Sequence, residues 1–163
     1  MYKNKKPAVQ AGFTLIEILI VIGIIAILAA IVLVAVNPAK QFRDANDAQR
    51  SSNVNAILNA VSQHMVDKRG LDALSSEIPD GDVDDAVEIG NGSGEADLCD
   101  LLTPDYVAKL PADPDETDQS IPAEGDDCTD TYSTGYEIYR TGDRITVIAP
   151  NTEGDGDDIS VTR

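Results

Sequence analysis

Tryptophan is absent, and Phe13, Phe42 and five tyrosines are the only aromatics. Any core must therefore come from Val, Ile, Leu and Ala, and a small aliphatic core gains from a covalent staple. Histidine occurs once, at His64. A lone imidazole beside Met65, on the edge of an apolar helical stripe, is far more often structural or exposed than catalytic. The patterns G-x-S-x-G, H-E-x-x-H, P-loop and C-x-x-C are missing as well. The chain is thus expected to be no enzyme and to require no cofactor. Bases are scarce: 12 Lys+Arg face 29 Asp+Glu, for a formal net charge of −17. Such a chain repels phosphate backbones, which weakens nonspecific nucleic-acid contact, and no nucleic-acid binding by its head is expected.

The 163 residues suffice for one small domain and an appendage. Charge divides them unevenly. Lys3, Lys5 and Lys6 precede residue 12, and without them 9 bases face 29 acids, a net of −20. From Asp67 to Asp130 there are 20 acids against Lys68, Arg69 and Lys109. That density suits a solvated, extracellular, salty or calcium-containing setting, and simple solubility explains it equally well.

Residues 13–36 form an apolar run of 24, interrupted only by Thr14, Glu17 and Gly23. As a helix it is about 36 Å long at 1.5 Å per residue, enough for a hydrocarbon core of about 30 Å. The lysines before it and the uncharged Asn37 and Pro38 after it put the leader in the cytoplasm and the rest outside. A plain secretory signal peptide would be shorter in its apolar part and would close on an A-x-A cleavage site. Glu17 argues against it too. A carboxylate in an apolar span costs on the order of 3 kcal/mol at a bilayer centre, less near an interface, so it needs a partner.

The basic leader, then Gly12, Phe13, Thr14, Leu15, Ile16, Glu17 and an apolar helix, resembles the amino-terminal signal of type IV pilins and type II secretion pseudopilins. The resemblance implies that a prepilin peptidase cuts between Gly12 and Phe13 and methylates the new Phe13 amine. It implies that Phe13 and Glu17 set subunit register as the chain self-associates into a helical filament, delivered from membrane lipid by an inner-membrane assembly platform. Glycine at position 12 suits a protease that must approach the backbone closely. The chain would begin as a single-pass protein of a bacterial-type cytoplasmic membrane, head outside, and end in an extracellular or periplasmic filament. A single-pass anchored protein, whose head binds a surface, sugar or cation without polymerising, is the competing function; Glu17 speaks against it.

Beyond the membrane, Val54, Ile57, Leu58, Val61 and Met65 recur at helical spacing on one stripe. Gly70 stops this helix, with Lys68 and Arg69 in its last turn. Pro38 lies within the long helix and predicts a kink or local opening at Asn37 and Pro38. Arg43, Asp44, Asp47 and Arg50 offer ion pairs along a face expected to be solvated.

Residues 71–131, rich in Asp, Gly, Pro and Ser, read as a long irregular connection, with a short helix around 97–102 and a helical turn over 105–110. Cys99 and Cys128 bracket its second half and, in an oxidising compartment, are expected to pair. Strands follow at 135–139, 144–149 and 159–162, an antiparallel meander over the helical stripe.

The expected fold is thus α+β and pilin-like: one long amino-terminal helix, half membrane and half amphipathic, under a small antiparallel sheet with a long irregular loop. Its parts are a leader at 1–12, the membrane or filament-core helix at 13–36, the amphipathic helix at 37–70, the acidic loop at 71–131 and the sheet at 132–163.

Calcium takes about 6 to 8 oxygens, and the loop 151–158 supplies Asn151, Glu153, Asp155, Asp157 and Asp158. It lacks the terminal Glu of an EF-hand but resembles the calcium-binding carboxy-terminal loop of major pseudopilins. The run Leu110, Pro111, Ala112, Asp113, Pro114 resembles one in the same proteins, although Asp115 and Glu116 replace the aromatic and glycine that usually follow. A plain polar hairpin loop is the alternative at 151–158. Between pilus and secretion pseudopilus, the sequence reading leans to the pilus.

Overall fold

A computed structural model describes residues 12–67, 74–115, 128, 131–152 and 158–163. The basic leader before Gly12, the helix stop at 68–70 and the calcium-loop centre at 153–157 lie outside the described residues. The chain divides into two compact units, Met1–Gln41 and Phe42–Arg163.

The first unit contains helix α1, Leu15–Val36. It starts two residues later than the apolar run because Thr14 is extended and caps it, its Oγ1 accepting the Glu17 N–H at 3.3 Å. It ends at Asn37, whose φ of 42° is left-handed. Asparagine tolerates that conformation better than most residues and terminates helices there.

Helix α2, Pro38–Asp67, begins at once. The Asn37 carboxamide oxygen accepts the Lys40 N–H at 3.3 Å, and Pro38 occupies a first-turn position where its missing N–H costs nothing. The opening expected in one continuous helix is therefore a boundary between two helices, capped from both sides by Asn37.

In the second unit the stripe of α2 is the centre of the core. Val54, Ile57, Leu58 and Val61 are buried and Met65 is partly so. Against them lie four antiparallel strands in the order β1-β2-β3-β4: β1 Val87–Gly90, β2 Ser133–Thr141, β3 Arg144–Ala149 and β4 Ile159–Thr162. Tyr136, Ile138, Ile145 and Val147 supply sheet side chains to the core. The β2–β3 hairpin turns through Gly142 at φ +62°, where a two-residue loop needs a left-handed residue.

Two expectations need correction. The segment 71–131 is not irregular throughout, because β1 forms the fourth strand, pairing Val87 with Ile138 and Glu88 with Glu137, and buries Ile89. A short 3-10 turn, Val83–Asp85, precedes it, with Asp82 and Asp85 in a reciprocal capping box. The helical turn expected at 105–110 is absent. The short helix α3, Cys99–Leu102, closes instead when the Leu102 carbonyl accepts N–H groups of both Tyr106 and Val107, at 3.0 and 3.1 Å.

Candidate functional site

The amino-terminal features stand together on one exposed element. Phe13 is 80% exposed, Gly12, Thr14 and Glu17 are exposed, and Glu17 occupies the first turn of α1, where the helix dipole favours an anion. Leu15 to Ala35 has a mean hydropathy of 3.5 with none of its apolar window buried, and it is the one described helix long and apolar enough to cross a membrane. About 33 Å of helix with aliphatic side chains on all sides is stable only in lipid or against other apolar helices. Glu17 is its only ionisable side chain. Its carboxylate must remain near an interface or meet a cation, and the free amine that a cleavage after Gly12 would create is one such cation.

The head contains a polar centre that the sequence reading placed wrongly. Arg50 does not lie on a solvated face; it is fully buried. Its Nε donates to Asp113 Oδ2 at 2.8 Å and its Nη2 to Asp113 Oδ1 at 3.0 Å, while Nη1 reaches Asp47 at 2.8 Å and Nη2 also reaches Asp115 at 2.6 Å. The Asp113 bonds push the guanidinium pKa well up against the opposing effect of burial, with Asp115 and Asp47 adding to the rise. Beside it, Asn53 Nδ2 donates to the Ala112 carbonyl at 2.9 Å and to the Tyr136 hydroxyl at 2.8 Å. These bonds strap the Leu110 to Asp115 run onto α2. A signal for this existed: Arg50 stands one turn before Val54 on the line continued by Ile57 and Val61, and Asn53 one turn before Ile57.

The cysteines are joined, with Cα atoms of Cys99 and Cys128 5.7 Å apart. The start of α3 is fixed by Tyr132, whose hydroxyl donates to Asp97 at 2.9 Å and accepts the N–H groups of Leu98 and Cys99, each at 3.1 Å. Burial, then the Asp97 carboxylate, pushes that hydroxyl's pKa up. His64 is buried and meets Tyr106 edge-on, with ring centroids 5.4 Å apart.

Of the five loop residues considered for calcium, Asn151 and Asp158 are described, whereas Glu153, Asp155 and Asp157 are not. Asn151 lines an opening of about 270 Å³ together with Glu88 and Glu137, which face each other across β1 and β2. Burial first, then Asp158 and Glu88, push the Glu137 carboxyl pKa up. Among the described residues no three metal-ligating side chains stand close enough to hold an ion.

Comparison with curated proteins and with solved structures yields no match. Residues 8–33 match the family described as the prokaryotic N-terminal methylation motif, a stretch that contains Gly12, Phe13 and Glu17. The chain therefore carries the processing signal of the type IV pilins and pseudopilins, joined to an α+β head of pilin-like kind.

Proposed function

We propose that the chain is a structural filament subunit. A prepilin peptidase removes residues 1–12 and methylates the Phe13 amine, the head stands outside the cytoplasmic membrane, and an inner-membrane platform moves the subunit into an extracytoplasmic type IV pilus. The observation that carries this reading is Glu17, the one carboxylate in a fully exposed apolar helix, one turn from the proposed new terminus. A membrane anchor has no use for it, whereas a helix that leaves lipid to pack beside identical helices can neutralise it with a neighbour's amine.

A second reading, a subunit of a type II secretion pseudopilus, draws support from Asp113. The Leu-Pro-x-Asp-Pro run resembles that of pseudopilin heads, and its aspartate is the buried partner of Arg50. Calcium binding at 151–158 belongs with this reading.

Two measurements test the proposal. Intact mass of the membrane protein should correspond to a methylated chain starting at Phe13, and Gly12→Val should accumulate the full precursor. Sheared surface material should show filaments by negative-stain microscopy, with this chain as a component by mass spectrometry. A processed chain found only in periplasmic filaments beside a secretion apparatus would favour the pseudopilus. A chain retaining residues 1–12 in a host with active peptidase would overturn both readings.

A further inference from the structure

The chain contains a single Asn-Gly pair, Asn91-Gly92, and the fold places acid–base groups around it. After β1 the backbone turns through residues 91–95 and rejoins the sheet where the Ala96 N–H donates to the Glu88 carbonyl at 2.8 Å. Inside this turn the Gly92 N–H donates to Glu95 Oε2 at 2.7 Å. The Asn91 carboxamide oxygen accepts the Tyr132 N–H at 2.9 Å, and the Asn91 N–H donates to the Tyr132 carbonyl at 3.2 Å. The Glu95 carboxylate fits because two glycines make room for it: a Cβ at Gly90 or at Gly92 would collide with its oxygens.

We propose that Asn91 is a self-modification site, where the Gly92 nitrogen cyclises onto the Asn91 side chain with Glu95 as general base. In the step, Gly92 N–H gives its proton to the Glu95 carboxylate as the nitrogen bonds to Asn91 Cγ. Negative charge gathers on Asn91 Oδ1, where the Tyr132 N–H already donates and stabilises it. Glu95 then passes the proton to the side-chain nitrogen, the Cγ–Nδ2 bond breaks and ammonia leaves, so a succinimide remains. Water opens either ring carbonyl to give aspartate or isoaspartate. No electrons are transferred, and water is the only co-reactant. A carboxylate base within hydrogen-bond reach of the nitrogen and a donor on the acceptor oxygen are the two groups this chemistry requires. The product adds one negative charge beside Glu95, and isoaspartate reroutes the backbone at the end of β1.

The inference is independent of filament assembly and is tested on the full-length chain in detergent at neutral pH. Conversion of Asn91 is followed by peptide mapping, which separates asparagine, aspartate, isoaspartate and succinimide, in the native chain and in the same chain unfolded in guanidinium. The native chain should convert faster than the unfolded one by about a hundredfold or more, the low end of what a positioned base contributes. Glu95→Gln should bring the native rate down toward the unfolded one. If the bonds to Tyr132 and Glu95 merely restrain the turn, the native chain converts no faster than the unfolded chain, and the proposal is overturned without recourse to a variant. A native Glu95→Gln chain that retains its disulfide and converts at the wild-type rate overturns the role of Glu95.

Discussion

Arg50 holds both oxygens of Asp113, and neither side chain has any contact with solvent. The pair joins α2 to a segment 63 residues further along the chain, so it acts as a clamp on the head. Two planar groups in a two-point bond fix orientation as well as distance. Asp47 and Asp115 accept further guanidinium N–H groups, which helps a buried charge persist.

Removing one partner should therefore cost more than the pair contributes. Asp113→Ala leaves the guanidinium with its two remaining carboxylates and should destabilise the head by about 3–5 kcal/mol, the range for breaking a buried ion pair. Arg50→Lys keeps the charge but loses the fork and should also destabilise. The double replacement Arg50→Met with Asp113→Leu should recover much of the loss. Denaturant unfolding of the full chain in detergent reads all three. A change below about 1 kcal/mol for Asp113→Ala, the level of an exposed pair, would show that the clamp is not buried in solution.

The disulfide should matter as a constraint on a loop. Cys99 and Cys128 are 29 residues apart, and a ring of that size stabilises by roughly 3–4 kcal/mol on the chain-entropy model. Cys99→Ser should lower the melting temperature, and nonreducing peptide mapping should recover the linked pair. Complete alkylation of both thiols without reductant would refute the link in the native protein.

Glu137 gives a pH dependence of definite sign. Burial, Asp158 and Glu88 raise its pKa in the folded chain above the usual carboxylate value. The folded state thus binds its proton more readily than the unfolded one. Stability falls as pH rises through the interval between the ordinary and the raised pKa, and recovers below it. Glu137→Gln should remove this dependence and stabilise at neutral pH by under about 1 kcal/mol, because water screens a half-exposed group. The calcium reading of the 151–158 loop, with Asn151 and Asp158 beside this carboxylate, adds a further outcome. Millimolar calcium should raise the melting temperature more than magnesium does, and Glu137→Gln should shrink the gain. No calcium effect on the wild type would leave a polar hairpin loop.

Much of this architecture is legible because most elements leave a local signal: the run that became α1 by its unbroken apolar length, the Val54 to Met65 stripe by its helical period, and strands β2, β3 and β4 by β-branched and aromatic residues between turn segments all carry one. Strand β1 does not. It has four residues in an acidic stretch, and its pairing of Val87 with Ile138 spans a separation on which local sequence is silent. Arg50 was hidden for a related reason: a charged residue on a buried line looks solvated until its partner is known, and Asp113 is supplied by a distant segment. At Asn37 the proline marked the place, while the left-handed asparagine beside it decided that two helices result.

Glu17 provides the most discriminating test of filament assembly. In α1 it lies in the first turn, and its backbone N–H is already capped by Thr14. The amine of its own chain lies back along the helix axis, whereas a neighbouring helix displaced by about one turn can bring its Phe13 amine to this carboxylate. In an apolar surrounding an unpaired carboxylate is penalised, so on the proposed filament reading such a pairing would select one axial register. Glu17→Leu should leave cleavage after Gly12 and folding of the head intact, since Glu17 belongs to the amino-terminal unit and the head is a compact unit of its own, and it should make the monomer more comfortable in lipid. Filaments should nonetheless be lost or sharply reduced. The measurements are intact mass for processing, the Cys99–Cys128 link for head folding, and microscopy of sheared material for assembly. Normal filaments from Glu17→Leu would remove the register role while leaving processing untouched, whereas a wild-type chain that is processed and folded but never seen in a filament would favour the anchored binding protein.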